Sequence, residues 1–324
     1  MELEKILSGE THNHILPFLW VHGESERVYR ENVRVVRRAN IRAFCIEARP
    51  HNGFCRQQWW DDLKIILDET GKLGMKVWIL DDKHFHTGYA NGGAENMPSH
   101  LRRQSILKKE YNVEGGNRLR LNLNKECHPP FSAAQALTDI YCKNYKKTCH
   151  FTDDRFLSAV AVRVGDKKAV PISLDGCIRE GKLIWKAPAG SWKVLLCYLS
   201  RNCGMHRNYI NMMDEESCRI QIEQVYEPHY EHFKEQFGTT IAGFFSDEPE
   251  LGNGIIYKMY NTLGTDQDLP WSRELETALE KQLGEDYSRM LPLLWNNDCD
   301  QDLTARVRYI YMDQVSRLVE KNFS

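Results

Sequence analysis

The feature that most constrains the fold is a repeated alternation of short apolar segments with helical patterns. Three apolar segments open the chain, at 15–21, 41–48 and 76–80. Residues 26–38 and 59–73 set apolar side chains among charged ones, which is typical of amphipathic helices that pack on a sheet. Strands that alternate with helices in this way indicate parallel βαβ units.

The alternation stops after Asp81 and returns near residue 239, an interruption far longer than an ordinary βα loop. Short strand-like runs separated by Gly, Asp and Pro turns lie within it, at 156–164, 169–174, 183–186 and 192–199. Such spacing is typical of a small antiparallel β module. A helical pattern at 215–237 then ends at Gly238, and an apolar segment at 239–245 predicts a fourth strand of the first kind.

We therefore predict an α/β fold, a (β/α) TIM-type barrel with a small antiparallel β insertion after its third strand. Residues 1–110 form the first part of the barrel with strands 1–3, residues 111–205 the inserted β-rich module, and residues 206–324 the continuation with strand 4 and helices. A closed barrel needs eight strands. The barrel is thus expected to be incomplete in this chain: either the remaining strands lie in a longer protein, or the fold is not a barrel.

The amino-acid composition limits the classes of partner that this chain is expected to bind. The 324 residues are 42% hydrophobic and 27% charged with a formal net charge of −2, as in an ordinary globular protein, so neither nucleic acid nor an anionic membrane is an expected partner. No run of about 18 apolar residues predicts a membrane span. The first residues lack a secretory signal pattern, so we expect a cytoplasmic protein. The ten cysteines are scattered and are predicted to be reduced thiols.

Polar residues follow each of the four predicted parallel strands, where βα barrels carry their reacting groups. Sugar sites combine aromatic platforms with carboxylates, Arg and His that form paired hydrogen bonds. The residues at the first three strand ends fit that inventory, so we predict a carbohydrate substrate bound by Trp20, His22, Glu47, Arg49, His51, Asp81, Asp82 and His84.

The fourth strand end carries Asp247 and Glu248, directly after the apolar residues 241–245. A carboxyl group among apolar neighbours can have a raised pKa and can then donate a proton to a leaving glycosidic oxygen. We predict Glu248 as this general acid and Asp247 as a second catalytic residue that orients a neighbour or contacts a hydroxyl. The alternative is that one of the two caps the next helix or pairs with Arg49.

Two further readings stay open. His12 with His14, and His84 with His86, have the H-x-H spacing of a metal-dependent amidohydrolase. The first pair precedes its strand and would lie at the wrong end of a barrel. We predict no cofactor and no metal, although Asp81, Asp82 or Glu250 are candidate Ca²⁺ ligands. The other reading is a carbohydrate-binding remnant without catalysis.

Several short segments resemble the large bacterial glycoside hydrolases of the α-L-rhamnosidase-like group. They are PFLW at 17–20, EARP at 47–50, LGMKVW at 73–78, WKAPAGSWKV at 185–194, YINMMD at 209–214 and FFSDEP at 244–249. The resemblance implies the N-terminal portion of a TIM-barrel glycosidase that acts on plant or bacterial polysaccharide side chains. It also implies that Glu248 is the general acid and that a later strand supplies the second catalytic carboxylate.

Overall fold

The computed structural model describes residues 2–8, 14–83, 86–129, 150–203, 207–251 and 263–323. The chain divides into two compact units. We call Met1–Met97 with Arg219–Glu250 the parallel-sheet unit, and Pro98–Cys218 with Leu251–Ser324 the antiparallel unit. The predicted three-part division of the chain stays a prediction.

The described strands are β1 (Phe18–Val21), β2 (Ala43–Ala48), β3 (Lys76–Leu80), β4 (Gln104–Glu114), β5 (Arg118–Asn122), β6 (Arg155–Arg163), β7 (Ile172–Ser173), β8 (Ile178–Arg179), β9 (Lys182–Lys186), β10 (Ser191–Ser200), β11 (Ile241–Phe245) and β12 (Leu269–Trp271). The described α-helices are α1 (Glu2–Leu7), α2 (Glu26–Arg38), α3 (Gln57–Lys72), α4 (Leu123–Glu126), α5 (Glu215–Gln221), α6 (Glu227–Phe233), α7 (Arg273–Leu283), α8 (Tyr287–Met290) and α9 (Gln301–Phe323).

The parallel-sheet unit is built on one sheet in the order β1-β2-β3-β11, with every neighbouring pair parallel. Helices α2 and α3 follow β1 and β2, and their buried side chains share one core with the sheet residues that face them. Helix α3 ends at Lys72. Gly74 follows the helix with a left-handed φ of 64° that favours glycine, and β3 starts two residues later.

The opposite face of this sheet is concave. Phe18 lies on β1 and Phe245 on β11, the two outer strands of the sheet. In a flat sheet these strands would be about 14 Å apart, which is three strand spacings. The two ring centroids are nevertheless 5.3 Å apart, so the sheet must curve until the side chains converge. Gly243 permits this packing because a Cβ there would lie 3.1 Å from the ring of Trp78.

This curvature is what a partial barrel requires. Within the described residues, however, the parallel sheet has four strands and does not close. The mixed α/β fold is confirmed, whereas the complete TIM-type barrel stays a prediction.

A π-helical turn, Ile222–Tyr226, interrupts the helix that precedes β11, between α5 and α6. A π-turn closes i→i+5 hydrogen bonds, is rare, and is frequently found at functional sites. The sequence predicted one uninterrupted helix at 215–237, so the π-turn is a finding of the structure.

The antiparallel unit contains a five-stranded sheet in the order β12-β4-β10-β6-β7 and a three-stranded sheet in the order β5-β9-β8. The predicted strand-like runs near 156–164, 183–186 and 192–199 correspond to β6, β9 and β10. The longest strand, β4, was missed. The predicted C-terminal helices are present as α7, α8 and α9, and they pack with strands of the five-stranded sheet around one core that includes Trp271 and Tyr311.

No helix among the residues that the structure describes has the length and apolar character needed to cross a membrane.

Candidate active site

The carboxyl ends of all four parallel strands lie along one edge of the sheet, because parallel strands run in the same direction. Trp20 of β1 pairs in register with Glu47 of β2. Asp81 directly follows β3, and Ser246 and Asp247 directly follow β11. The four strand ends therefore bring together residues from four distant parts of the chain, at the edge where βα barrels carry their sites.

Trp20, Glu47 and Arg49 form a compact cluster at this edge. The Trp20 side chain is 52% exposed, and the Arg49 guanidinium carbon lies 5.4 Å from its ring centroid. Arg49 Nη1 donates a hydrogen bond to Glu47 Oε1 over 3.0 Å. The cluster thus presents an indole face with a carboxylate and a guanidinium beside it, which suits a sugar ring and its hydroxyls.

Glu47 is the buried carboxyl group of this cluster, with 2% exposure. Burial raises its pKa above the ordinary value, and the charge of Asp247 acts in the same direction, while Arg49 opposes both. The apolar setting that the sequence predicted for Glu248 therefore belongs to Glu47. A carboxyl group with a raised pKa holds its proton closer to neutral pH and can act as an acid there.

Asp81 is fully buried and lies where β3 meets β11. Its Oδ1 accepts a hydrogen bond from Thr87 Oγ1 over 2.5 Å, and its Oδ2 accepts one from Tyr226 Oη over 2.6 Å and another from Ser246 Oγ. Burial raises its pKa to about 6, and the Asp82 charge adds to the rise, while the three hydroxyl donors oppose it.

Thr87 links this buried carboxyl group to Asp247. The Asp247 amide donates to Thr87 Oγ1 over 2.9 Å, and the Thr87 amide donates to the Asp247 carbonyl over 3.0 Å. The Asp247 side chain is half-buried, and burial together with the charge of Glu248 raises its pKa, while Arg49 and His86 lower it.

Glu248 stands at an exposed corner after β11. Its φ of 41° lies in the left-handed region, which is uncommon for a residue with a side chain. Its side chain is 66% exposed, and Glu248 Oε2 lies 3.8 Å from His86 Nε2. Glu250 Oε1 lies 3.7 Å from the same nitrogen. One imidazole therefore stands between two carboxyl groups at the mouth of the site.

Asp82 and His51 use their polar atoms inside the protein. Both Asp82 oxygens accept backbone N–H groups, from Lys83 and Asn91 on one side and from Gly88, Tyr89 and Ala90 on the other. His51 accepts from the Gly53 amide at Nδ1 and donates from Nε2 to Asp62. These contacts make Asp82 the organiser of the loop after β3 and make His51 part of the packing beneath the sheet edge.

His22 points outward after β1, with its Nδ1 bonded to Glu24 Oε1 over 2.7 Å. The structure describes His14 and His86. Their predicted partners in a metal site, His12 and His84, lie outside the described residues. No three His, Cys, Asp or Glu side chains within the described ranges could hold a metal ion together. For the Ca²⁺ alternative, the oxygens of Asp81 and Asp82 already accept the hydrogen bonds given above, and Glu250 stands beside His86.

The functional residues that the sequence prediction did not include are Ser246, Thr87 and Tyr226. Each is a neutral hydroxyl that meets Asp81 only in the folded chain. Position after β11 was the available signal for Ser246, whereas no local pattern marks Thr87 or Tyr226.

Fold and site together define an α/β protein with a polar, carboxylate-rich edge on a curved parallel sheet. No protein-family profile matches the chain, and no curated protein matches it. Among solved structures, a rhamnosidase from Novosphingobium sp. PP1Y is similar over 99% of this chain, with a TM-score of 0.51 and 11% sequence identity. The chain spans 45% of the length of that structure. At this identity the likeness concerns the fold alone.

Proposed function

We propose that this chain forms the first part of a glycoside hydrolase active site, with Glu248 as general acid and Asp247 as its catalytic partner. The observation that carries the proposal is that Glu47, Asp247 and Glu248 lie at the same strand-end edge of the sheet as Trp20 and Arg49. The glycoside hydrolase-like fold supports it.

The chemistry divides among these groups. Cleavage of a glycosidic bond needs a proton on the leaving oxygen and stabilisation of an oxocarbenium-like transition state. Glu248 stands exposed at the corner, where it can reach a leaving group, and Asp247 behind it can orient the sugar or a water. The indole face of Trp20 would stack on the sugar ring, while Arg49 donates paired hydrogen bonds to its hydroxyls.

The other predicted substrate contacts divide by accessibility. His22 is exposed beside the Trp20 ring and is proposed as a direct contact. Glu47 is buried, so it is proposed to act on the substrate through Arg49, which it holds. His51, Asp81 and Asp82 have their polar atoms engaged within the protein, so any effect on substrate would pass through the loops that they hold. The contact predicted for His84 stays a prediction.

The concave sheet face exposes Phe18 and Trp20, and β1 and β11 are the outer strands of the four-stranded sheet. We propose that further strands complete a (β/α) barrel on these edges and supply the second catalytic carboxylate. The separation of the two carboxyl groups, about 5–5.5 Å or about 6.5–9.5 Å, would then set retention or inversion.

The test is turnover of aryl glycosides, including an α-L-rhamnoside and a β-galactoside, by the parent protein and by Glu248→Gln. Loss of a general acid should lower kcat by about 10²-fold or more with a poor phenol leaving group. A good leaving group needs little protonation, so a dinitrophenyl glycoside should lose far less. Glu250→Gln is the matched control, because Glu250 meets the same imidazole from the same loop.

Different results of these measurements favour different functions. Equal losses for both leaving groups would remove Glu248 as the acid. Turnover that disappears with a chelator and returns with stoichiometric Zn²⁺ would support the amidohydrolase alternative. Saturable sugar binding that Trp20→Ala abolishes, without any product, would support a carbohydrate-binding protein.

A further inference from the structure

We propose that Asp81 is a positioning residue, which fixes the backbone of the 246–248 corner through Ser246 and Thr87 and is itself fixed by the π-turn before β11. The inference deepens the proposed function, since its effect on catalysis rests on Glu248 being the acid.

Asp81 has no exposed surface, and three hydroxyl groups reach its carboxyl oxygens. A buried carboxylate that accepts several hydrogen bonds is held firmly, because a lost donor leaves buried charge unpaired. Asp81 therefore acts on groups of the protein. Its contacts run in two directions, towards the corner after β11 and towards the helix that precedes β11.

The contacts with the corner constrain consecutive residues. Ser246 bonds directly to Asp81, and Asp247 is held at both its amide and its carbonyl by Thr87. The Asp81 amide also donates to the Phe245 carbonyl over 3.1 Å. The chain thus enters Glu248 from a fixed direction, with its φ at 41°. Such a conformation persists only where the surroundings hold it, because an unconstrained residue would relax.

The contacts with the helix come from Gln221, the last residue of α5, and from Tyr226, the last residue of the π-turn. Gln221 Nε2 donates to the Asp81 carbonyl, and Tyr226 Oη donates to its carboxylate. These residues are five apart, a spacing that i→i+5 closure brings onto one side of the helix. The π-turn therefore accounts for the two simultaneous contacts with one aspartate.

The test removes the Thr87 link and measures the corner itself. Thr87→Val deletes the hydroxyl with little change of shape, whereas Thr87→Ser keeps it. Thr70→Val is the matched control, because Thr70 is an equally buried threonine of the same unit whose hydroxyl bonds only to its own helix at the Ile66 carbonyl. The first readout is hydrogen exchange at the Asp247 amide by NMR, which needs no substrate.

We expect Thr87→Val to speed exchange at the Asp247 amide roughly tenfold, the effect of one lost hydrogen bond. Thr87→Ser should restore most of the protection, and Thr70→Val should leave it unchanged. The second readout is aryl glycoside turnover, where Thr87→Val should lower kcat about 10²-fold with little change in KM, as for a misplaced catalytic group.

Unchanged Asp247 exchange in Thr87→Val would overturn the inference, and so would faster exchange with undiminished kcat. If Thr70→Val speeds exchange and lowers kcat as much as Thr87→Val does, the effect comes from lost stability, and the inference is overturned as well. If the parent protein turns over no glycoside, the proposed function fails, while the exchange data still decide whether Thr87, which bonds to Asp81, holds the corner.

Discussion

Replacing Asp81 with Asn should change how the stability of the parallel-sheet unit depends on pH. Asp81 is fully buried, and burial raises its pKa from 3.8 to about 6 despite three hydroxyl donors. Asn is nearly isosteric and does not titrate in this range. The comparison therefore isolates the protonation of one side chain.

The sign follows from proton binding. The folded protein holds a proton on Asp81 between pH 4 and pH 6, where the unfolded chain has released it. The stabilising contribution is thus fully present below about pH 4 and is lost as the pH rises through about 6. At 1.36 kcal/mol for each pKa unit, the loss amounts to about 3 kcal/mol.

The assay is native-state hydrogen exchange at the amides of β3, Lys76–Leu80, corrected for intrinsic exchange, at several pH values from 4 to 7.5. The opening free energy of the parent, minus that of Asp81→Asn, should fall by about 2.4 kcal/mol across this range, because the unfolded carboxyl group is still partly protonated at pH 4. A constant penalty from the amide cancels in the trend. A difference that stays flat within about 0.5 kcal/mol, or rises with pH, would refute the assigned burial cost.

Three further predictions concern the same unit. Gly243→Ala should lower the free energy of unfolding by about 1–3 kcal/mol in urea titrations, because its Cβ would lie 3.1 Å from the Trp78 ring at a φ of 156°; full stability would contradict the packing given for the concave face. Trp20→Ala should raise KM for an aryl glycoside at least tenfold, while Trp20→Phe should raise it less, since a stacking face remains; equal effects would argue against stacking. Asp62→Ala should cost about 2–3 kcal/mol in thermal or urea unfolding, because it leaves the buried His51 N–H without its acceptor; a loss below about 0.5 kcal/mol would contradict that role.

The strands of the parallel-sheet unit could be predicted because their signal is local. The predicted segment 76–80 coincides with β3, and the other three apolar segments each contain a strand. Apolar segments next to amphipathic helices can be recognised from the sequence alone. Strand β4 was missed because its sequence, QSILKKEYNVE, mixes charged with apolar residues and lacks a flanking turn signal at its start. Its exposed positions are Glu110, Asn112 and Glu114, whereas Lys108 and Lys109 are half-buried.

The candidate site was predictable in its location and less so in its detail. Counting polar residues at strand ends selected Trp20, Glu47, Asp81 and Asp247. It could not tell that Glu47 is buried while Glu248 is exposed, because that depends on how the chain turns after each strand. Tyr226 lies 145 residues beyond Asp81 in the sequence, so only tertiary structure brings the two together.

The position of β11 in the chain has a consequence for biosynthesis. Strand β3 ends at Leu80, and its neighbour β11 begins at Ile241, after about 160 intervening residues. At ribosomal speeds of about 5–20 residues per second, the nascent chain waits roughly 8–30 s for this partner. During that interval the edge of β3 that later pairs with β11 has unpaired backbone N–H and C=O groups, which can pair with a strand of another chain. Early shielding of this edge should therefore govern how much of the newly made protein escapes aggregation.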